Sequence, residues 1–193
     1  MWEYRTPGVS DELFDRTEQV PITKEDIRAI AISKLRLKDG SSAIDVGCGS
    51  GSITVELCLQ TKGPVFAIDF DENAIELTKR NLEKFGQNAN VILGKAQDVL
   101  PTLPKVDAVI IGGSWGETAQ VIRLASDRLK SGGRMVVDTI LVETVYHALE
   151  AINSLGFRDI DITQVAISKA RKVTTGTMML ARNPVTIIAA TKD

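Results

Sequence analysis

The stretch Ala43-Ile44-Asp45-Val46-Gly47-Cys48-Gly49-Ser50-Gly51-Ser52 organises this 193-residue chain. A short apolar run ends at Asp45, glycine occupies every second position from 47 to 51, and an amphipathic segment follows. This pattern predicts a strand, a tight loop and a helix. Glycines let the backbone turn sharply and approach a ligand with no Cβ in the way. A helix N-terminus behind such a loop points free N–H groups into the gap. A dinucleotide fold requires G-x-G-x-x-G, in which the third glycine packs helix against strand. Here the third glycine is Gly51, and Ser52 stands where that pattern needs glycine.

The order of elements on either side extends the pattern. Residues 1–22 form a polar arm over the surface, with Pro7-Gly8 inside it. A helix follows, for which Thr23 is a candidate N-cap and Asp26 the capping-box partner, with Ile27, Ile30, Ala31 and Leu35 as the apolar stripe. Beyond the glycine loop, Ile53, Val55, Leu57 and Leu59 pack a helix on the sheet. Strands are predicted at 65–69, 90–93, 106–111, 134–139, 157–168 and 185–190, separated by helices at about 71–85, 117–129 and 143–155. Residues 169–182 form a basic excursion rich in threonine and methionine between the last two strands. Alternating βα units closing on two adjacent strands predict an α/β fold. It has a doubly wound, mostly parallel seven-stranded sheet with one antiparallel strand near the C-terminal edge. Ligands of such sheets sit outside the carboxyl ends of the strands, at the switch point.

Length and composition narrow the field. A chain of 193 residues is one domain, and a net charge of −2 supplies no basic field for nucleic acid. The two cysteines, Cys48 and Cys58, lie ten residues apart and match neither a CxxC nor a metal spacing, so no metal is expected and a reduced, cytoplasmic setting is the default. The N-terminus has no apolar signal region and no apolar run approaches a membrane span, so no membrane association is expected.

The spacing D-x-G-x-G-x-G resembles the donor loop of Rossmann-like class I methyltransferases, which place it under the methionine and ribose of S-adenosylmethionine. Asp69 ends the second strand and can accept both ribose hydroxyls or cap the next helix. Ala96 follows the third strand, where backbone groups meet the adenine edge. Methyltransferases of this type usually read Gly-Asp-Ala there, whereas this chain has Gly94-Lys95-Ala96. Thr23 reads equally as a helix cap or a donor contact. Asp45 reads as a loop-bracing carboxylate, and Cys48 as a small residue buried by the ligand.

Gly112-Gly113-Ser114-Trp115-Gly116 ends the fourth strand without the Asn-Pro-Pro-Tyr of enzymes that methylate nucleic-acid amino groups. Its paired glycines leave room for a bulky acceptor. Trp115 is a stacking surface or a lid or subunit contact. The single histidine, His147, lies on a solvated helix face, which removes the usual general base and suits an electron-rich carbon as acceptor. Lys169, Arg171, Lys172 and Arg182 form either a solvated hairpin or a cationic wall for an acceptor carrying several carboxylates.

Beyond these generic signals, the chain resembles the decarboxylating precorrin methyltransferases of cobalamin synthesis, the family that acts at C15 of cobalt-precorrin-6B. The resemblance runs from about Asp11 and rests on Val20-Pro21-Ile22-Thr23-Lys24-Glu25-Asp26-Ile27-Arg28, the donor loop, Gly112-Gly113-Ser114, Leu141-Val142-Glu143-Thr144, and Gly176-Thr177-Met178-Met179-Leu180-Ala181-Arg182-Asn183-Pro184-Val185. It implies a single methyltransferase domain over residues 1–193. It also implies methyl transfer from S-adenosylmethionine to C15 of a contracted tetrapyrrole, with loss of carbon dioxide from the C12 acetate and release of S-adenosylhomocysteine. Donor contacts are then expected at Thr23, Gly47, Cys48, Gly49, Ser50, Gly51, Asp69 and Ala96, and acceptor contacts at Gly112, Gly113, Ser114, Trp115, Arg171 and Arg182. The family commonly has Gly-Gly-Ser-Gly-Gly where this chain has Trp115. A homotetramer and a separate C5-methyltransferase are further implications. No side chain is assigned as the catalyst. The competing readings are a methyltransferase of RNA or protein, a non-catalytic donor-binding module, and a nicotinamide oxidoreductase that Ser52 disfavours.

Overall fold

A computed structural model describes residue 2, residues 4–114 and residues 116–193 of the chain. Nine strands occur among them: β1 Ala43–Val46, β2 Val65–Asp69, β3 Asn90–Leu93, β4 Val106–Ile111, β5 Leu129–Thr139, β6 Arg158–Val165, β7 Ser168–Val173, β8 Gly176–Ala181 and β9 Val185–Thr191. The helices are α1 Glu25–Lys34, α2 Ser52–Thr61, α3 Glu72–Lys84, α4 Ala96–Val99, α5 Thr118–Arg128 and α6 Val142–Ser154. Seven strands form one sheet in the order β3-β2-β1-β4-β5-β9-β6. The first five are parallel, and β9 inserts antiparallel between β5 and β6. This is the doubly wound sheet expected from the alternation, and its order reverses between β1 and β4.

The central strands are apolar because both their faces are covered. Ala43, Ala108, Ile110, Val136, Ile187 and Ala189 pack under α1 and α2, while Ile44, Val46, Val109, Met135, Val137 and Ile188 pack under α5 and α6. Helix α2 is buried around most of its circumference, Val55, Glu56 and Leu57 included. A helix buried in this way needs a second layer outside it. Helix α1 and residues 8–14 supply that layer.

The N-terminal arm is therefore anchored, not draped. Val9 and Phe14 are buried in the same cluster as α1 and α2. Arg28 is fully buried and ties the arm to both helices. Its Nε donates to Glu56 Oε1 at 2.9 Å and its Nη1 to Asp11 Oδ1 at 2.7 Å, and further donations reach the carbonyls of Thr23 and Val9. The N–H groups of Gly8 and Val9 donate to the Glu56 carboxylate at 2.8 and 3.0 Å. The sequence pattern does not place the Asp11, Val9 and Glu56 partners, which lie 17 to 48 positions from the groups they bond.

Two local expectations change. Thr23 is not a side-chain cap: α1 starts at Glu25 after Lys24, which makes no side-chain cap bond. Asp26 completes no capping box. Instead Asp11 accepts the Glu25 N–H at 3.0 Å and its own N–H reaches Glu25 Oε2 at 3.2 Å, a reciprocal cap made from outside the helix. The strand expected over 157–168 ends at Val165, and Ser168 opens the separate β7–β8 hairpin. No helix of the described residues is long and apolar enough to cross a membrane.

Candidate functional site

Two neighbouring cavities open at the carboxyl edge of the sheet where the strand order reverses. The first, about 550 Å³, is lined by Val46, Asp69, Phe70, Lys95, Ala96 and Glu117 among others. The second, about 810 Å³, is lined by Thr23, Cys48, Ser50, Gly112, Asp138 and Arg182 among others. Gly47, Gly113 and Ser114 border both. The loop after β1 and the loop after β4 thus form the partition between an acidic, nucleoside-sized compartment and a wider one.

The approach of these two loops explains Gly47. Its φ is +77°, and a Cβ there would lie 2.8 Å from the Gly113 nitrogen. Gly51 is constrained in the same way on the other side, where a Cβ at φ +75° would meet Thr78 Cα at 2.8 Å. The loop is held by hydrogen bonds inside the protein. The N–H groups of Gly47 and Cys48 both donate to the Ile68 carbonyl, at 2.9 and 3.0 Å. The Gly49 N–H donates to Asp69 Oδ2 at 2.9 Å, and that of Gly51 to the Cys48 carbonyl at 2.8 Å. Four of the loop's N–H groups are therefore already engaged within the protein.

Asp69 sits at the end of β2 with its carboxylate at the floor of the first cavity. Its Oδ1 accepts the Asp71 N–H at 3.1 Å. It does not cap α3; Asp71 does, accepting the Asn73 N–H at 2.9 Å. Each Asp69 oxygen has one further lone-pair site for hydroxyls of a ligand. Ala96 opens α4 on the opposite wall.

Helix α3 supports the loop from beneath, which the sequence reading missed. Thr78 Oγ1 donates to the Gly49 carbonyl at 3.0 Å and contacts Cys48 Sγ at 3.4 Å. Buried Asn81 donates to the Ser50 carbonyl at 2.8 Å and accepts the Asp15 N–H at 2.8 Å, coupling the arm to the loop. Cys48 is buried, and desolvation raises its thiol far above the ordinary range, so it is held as an inert thiol. Burial likewise pushes Cys58 up to about 12.

Asp45 is fully buried below the loop and accepts a hydrogen bond from Thr54 Oγ1 at 2.6 Å, the bracing role expected of it. Its Oδ1 has no partner. Desolvation, reinforced by the Asp138 and Asp69 charges, raises its pKa to about 7.

Gly112, Gly113 and Ser114 line the wider cavity, and Ser114 Oγ pairs with Thr118 Oγ1 at 2.7 Å. Trp115 lies outside the described residues. Thr23 lines this cavity beside Pro21 and Ile22, its carbonyl held by Arg28. Arg182 also lines it, with Nη1 buried and without a partner. Arg171 does not reach either cavity: it lies exposed on β7, paired in register with Met178. Lys169 turns instead to Glu25 and Asp26. Of the four basic residues of the tract only Arg182 lines the wider cavity, where Lys24 is a second cation. His147 is exposed on α6. Among the described residues, no group of three or more His, Cys, Asp or Glu could hold a metal ion.

Asp138, near the end of β5, is a cavity residue that the sequence reading passed over. The signal was present: an acid closing an apolar run, as Asp69 closes β2. What obscured it was that β5 does not directly follow the glycine loop in the chain.

A precorrin methyltransferase domain model matches residues 12–192. A protein of Saccharolobus solfataricus, named a probable cobalt-precorrin-6B C(15)-methyltransferase (decarboxylating), is 47% identical over 99% of this chain and 98% of its own. The crystal structure of precorrin 8W decarboxylase from Methanobacterium thermoautotrophicum superposes with a TM-score of 0.90 at 37% identity, covering 94% of this chain and 98% of that one. Precorrin-6y C5,15-methyltransferase from Geobacter metallireducens also gives a TM-score of 0.90, at 32% identity over 99% of this chain and 100% of that one. A shared fold, near-full-length similarity and a cleft at the sheet's switch point agree, and the chain belongs to the precorrin methyltransferase family.

Proposed function

We propose that the chain transfers the methyl group of S-adenosylmethionine to C15 of cobalt-precorrin-6B and removes the C12 acetate carboxyl as carbon dioxide. The observation that carries this reading is the pair of cavities sharing Gly47, Gly113 and Ser114. The smaller takes the adenosine, with Asp69 accepting the ribose hydroxyls and Ala96 beside the base. The methionine lies over residues 47–51 toward Thr23. The sulfonium then sits at the partition, and the wider cavity presents an acceptor carbon in line with it. Positioning is the main contribution to such a transfer, since no strong base is needed. Arg182, which lines this compartment and whose Nη1 is buried without a partner, receives a peripheral carboxylate.

The same reading has the chain acting as one methyltransferase domain in the cytoplasm, as a homotetramer, with C5 methylation left to a separate enzyme. Exposed Val142, Tyr146, Met178 and Met179 supply apolar surface for contact between copies. The test is calorimetric titration with S-adenosylhomocysteine, with NAD as the control ligand. Micromolar binding that Asp69→Ala loses supports the donor site. Heat with NAD and none with S-adenosylhomocysteine overturns it.

A further inference from the structure

We propose that Asp138 is a catalytic acid, whose carboxyl touches the acetate-bearing edge of the acceptor and supplies the proton that replaces the departing carbon dioxide. The inference rests on the decarboxylating reading above and assigns a group to the step for which no residue stands out in the sequence.

Three observations carry it. Asp138 lines the acceptor cavity and not the nucleoside one. The residue is half-buried, because part of it faces the cavity, yet its Oδ1 is shielded from solvent and has no hydrogen-bond partner. A buried carboxyl oxygen left unsatisfied is costly and marks a site that a ligand completes. Finally, Gly112, which lines the same cavity, lies against it: a Cβ there would be 3.4 Å from Oδ1, in van der Waals contact with the oxygen.

The carboxyl exchanges its proton closer to neutral pH than an ordinary aspartate. Desolvation raises the Asp138 carboxyl to about 6, with only its own backbone N–H opposing the shift. Asp45, two positions earlier in register on the same sheet face, is raised as well, chiefly by desolvation and in part by the Asp138 charge. Arg182 lines the same cavity, so this compartment holds a cation for the acetate and an acid whose raised value keeps a protonated fraction near neutral pH.

The step balances as follows. The macrocycle's π electrons form the C15–methyl bond as the sulfonium carbon–sulfur bond breaks, leaving one positive charge on the ring. The bond between the acetate methylene and its carboxylate then breaks. Carbon dioxide leaves, and the electron pair neutralises the ring as an exocyclic methylene. The Asp138 O–H bond breaks and its proton adds to that methylene, forming the C12 methyl group. The resulting Asp138 carboxylate takes back one proton from the cationic macrocycle. No net proton is consumed, and the acid ends as it began.

The test uses single turnovers of the full-length protein with S-adenosylmethionine and cobalt-precorrin-6B. S-adenosylhomocysteine formation reports methyl transfer, and NMR of the product reports the C12 methyl group. For Asp138→Asn we expect S-adenosylhomocysteine binding within about twofold of the parent and methyl transfer within about fivefold. Formation of the C12 methyl should slow by about 10²-fold or more, the usual contribution of a positioned acid. Formic acid should partly restore C12-methyl formation in Asp138→Ala, which a merely structural role would not allow. Parallel loss of both steps, loss of donor binding, or an Asp138→Asn enzyme that keeps pace overturns the assignment. A parent enzyme that makes no S-adenosylhomocysteine with the macrocycle overturns the functional reading itself.

Discussion

Replacing Arg28 with methionine tests how the arm and the donor loop are joined. The guanidinium is fully buried, bonded to two carboxylates and two carbonyls, and lies over the Phe14 ring with 4.8 Å to its centroid. Methionine keeps much of the apolar stem but removes the charge. Glu56 is then left fully buried with only the Gly8 and Val9 N–H groups, and Asp11 loses its partner beneath the α1 cap. Removing one partner of a buried pair costs about 3–5 kcal/mol, because the remaining charge is uncompensated. Thermal and urea unfolding should show a loss in this range. The double variant Arg28→Met/Glu56→Gln should recover at least 1 kcal/mol of it, since the stranded charge is gone. The arm also carries Thr23 to the cavity and places the Pro21 carbonyl 3.2 Å from where a Cβ on Gly49 would sit. S-adenosylhomocysteine affinity should therefore fall about tenfold, ~1.4 kcal/mol. A loss of stability below 1 kcal/mol, with no coupling to Glu56, would refute the view of Arg28 as the tie between these segments.

Gly47→Ala should lower donor affinity by at least tenfold and cost about 1–2 kcal/mol for the left-handed backbone alone, because its methyl group would meet the Gly113 nitrogen at 2.8 Å; unchanged calorimetric binding would show that the two loops do not form the partition. Asp45→Asn tests the buried carboxyl. Its folded pKa is raised from 3.8 to about 7, so its ionisation withdraws stability as pH rises through that window. Relative to the parent, the variant should gain about 2–3 kcal/mol between pH 5 and pH 8; a difference that stays constant across this range in unfolding experiments contradicts the shift. Arg182→Met should raise KM for the macrocycle by about tenfold or more, the worth of a charge-assisted hydrogen bond, while the S-adenosylhomocysteine Kd stays within twofold; equal effects on both ligands would place Arg182 elsewhere.

Residues whose meaning is local were legible from the chain. Gly47, Gly49 and Gly51 between an apolar run and an amphipathic one marked the loop, because backbone sterics act between neighbours. The cap of α3 at Asp71 and the left-handed Gly86 after it, with φ +63°, rest on the same short-range chemistry. Thr23 was ambiguous because its two roles differ only in what lies across from it. The cap came instead from Asp11, fourteen positions away, leaving Thr23 to the cavity. Arg171 and Arg182 looked equivalent as charges in one basic tract. Hairpin pairing holds the first on an exposed strand and returns the second to the sheet edge.

The sequence by itself determined the alternation of strands and helices, the donor-type loop and the family, since these rest on periodicity, turn sterics and continuous motifs. Only the tertiary structure decided which polar groups face one another. The burial of Arg28 with Glu56, the support of the loop by Thr78 and Asn81, and the arrival of Asp138 under Gly112 each join segments distant in the chain. Their energies come from desolvation and directional bonding, and both exist only once those segments have packed.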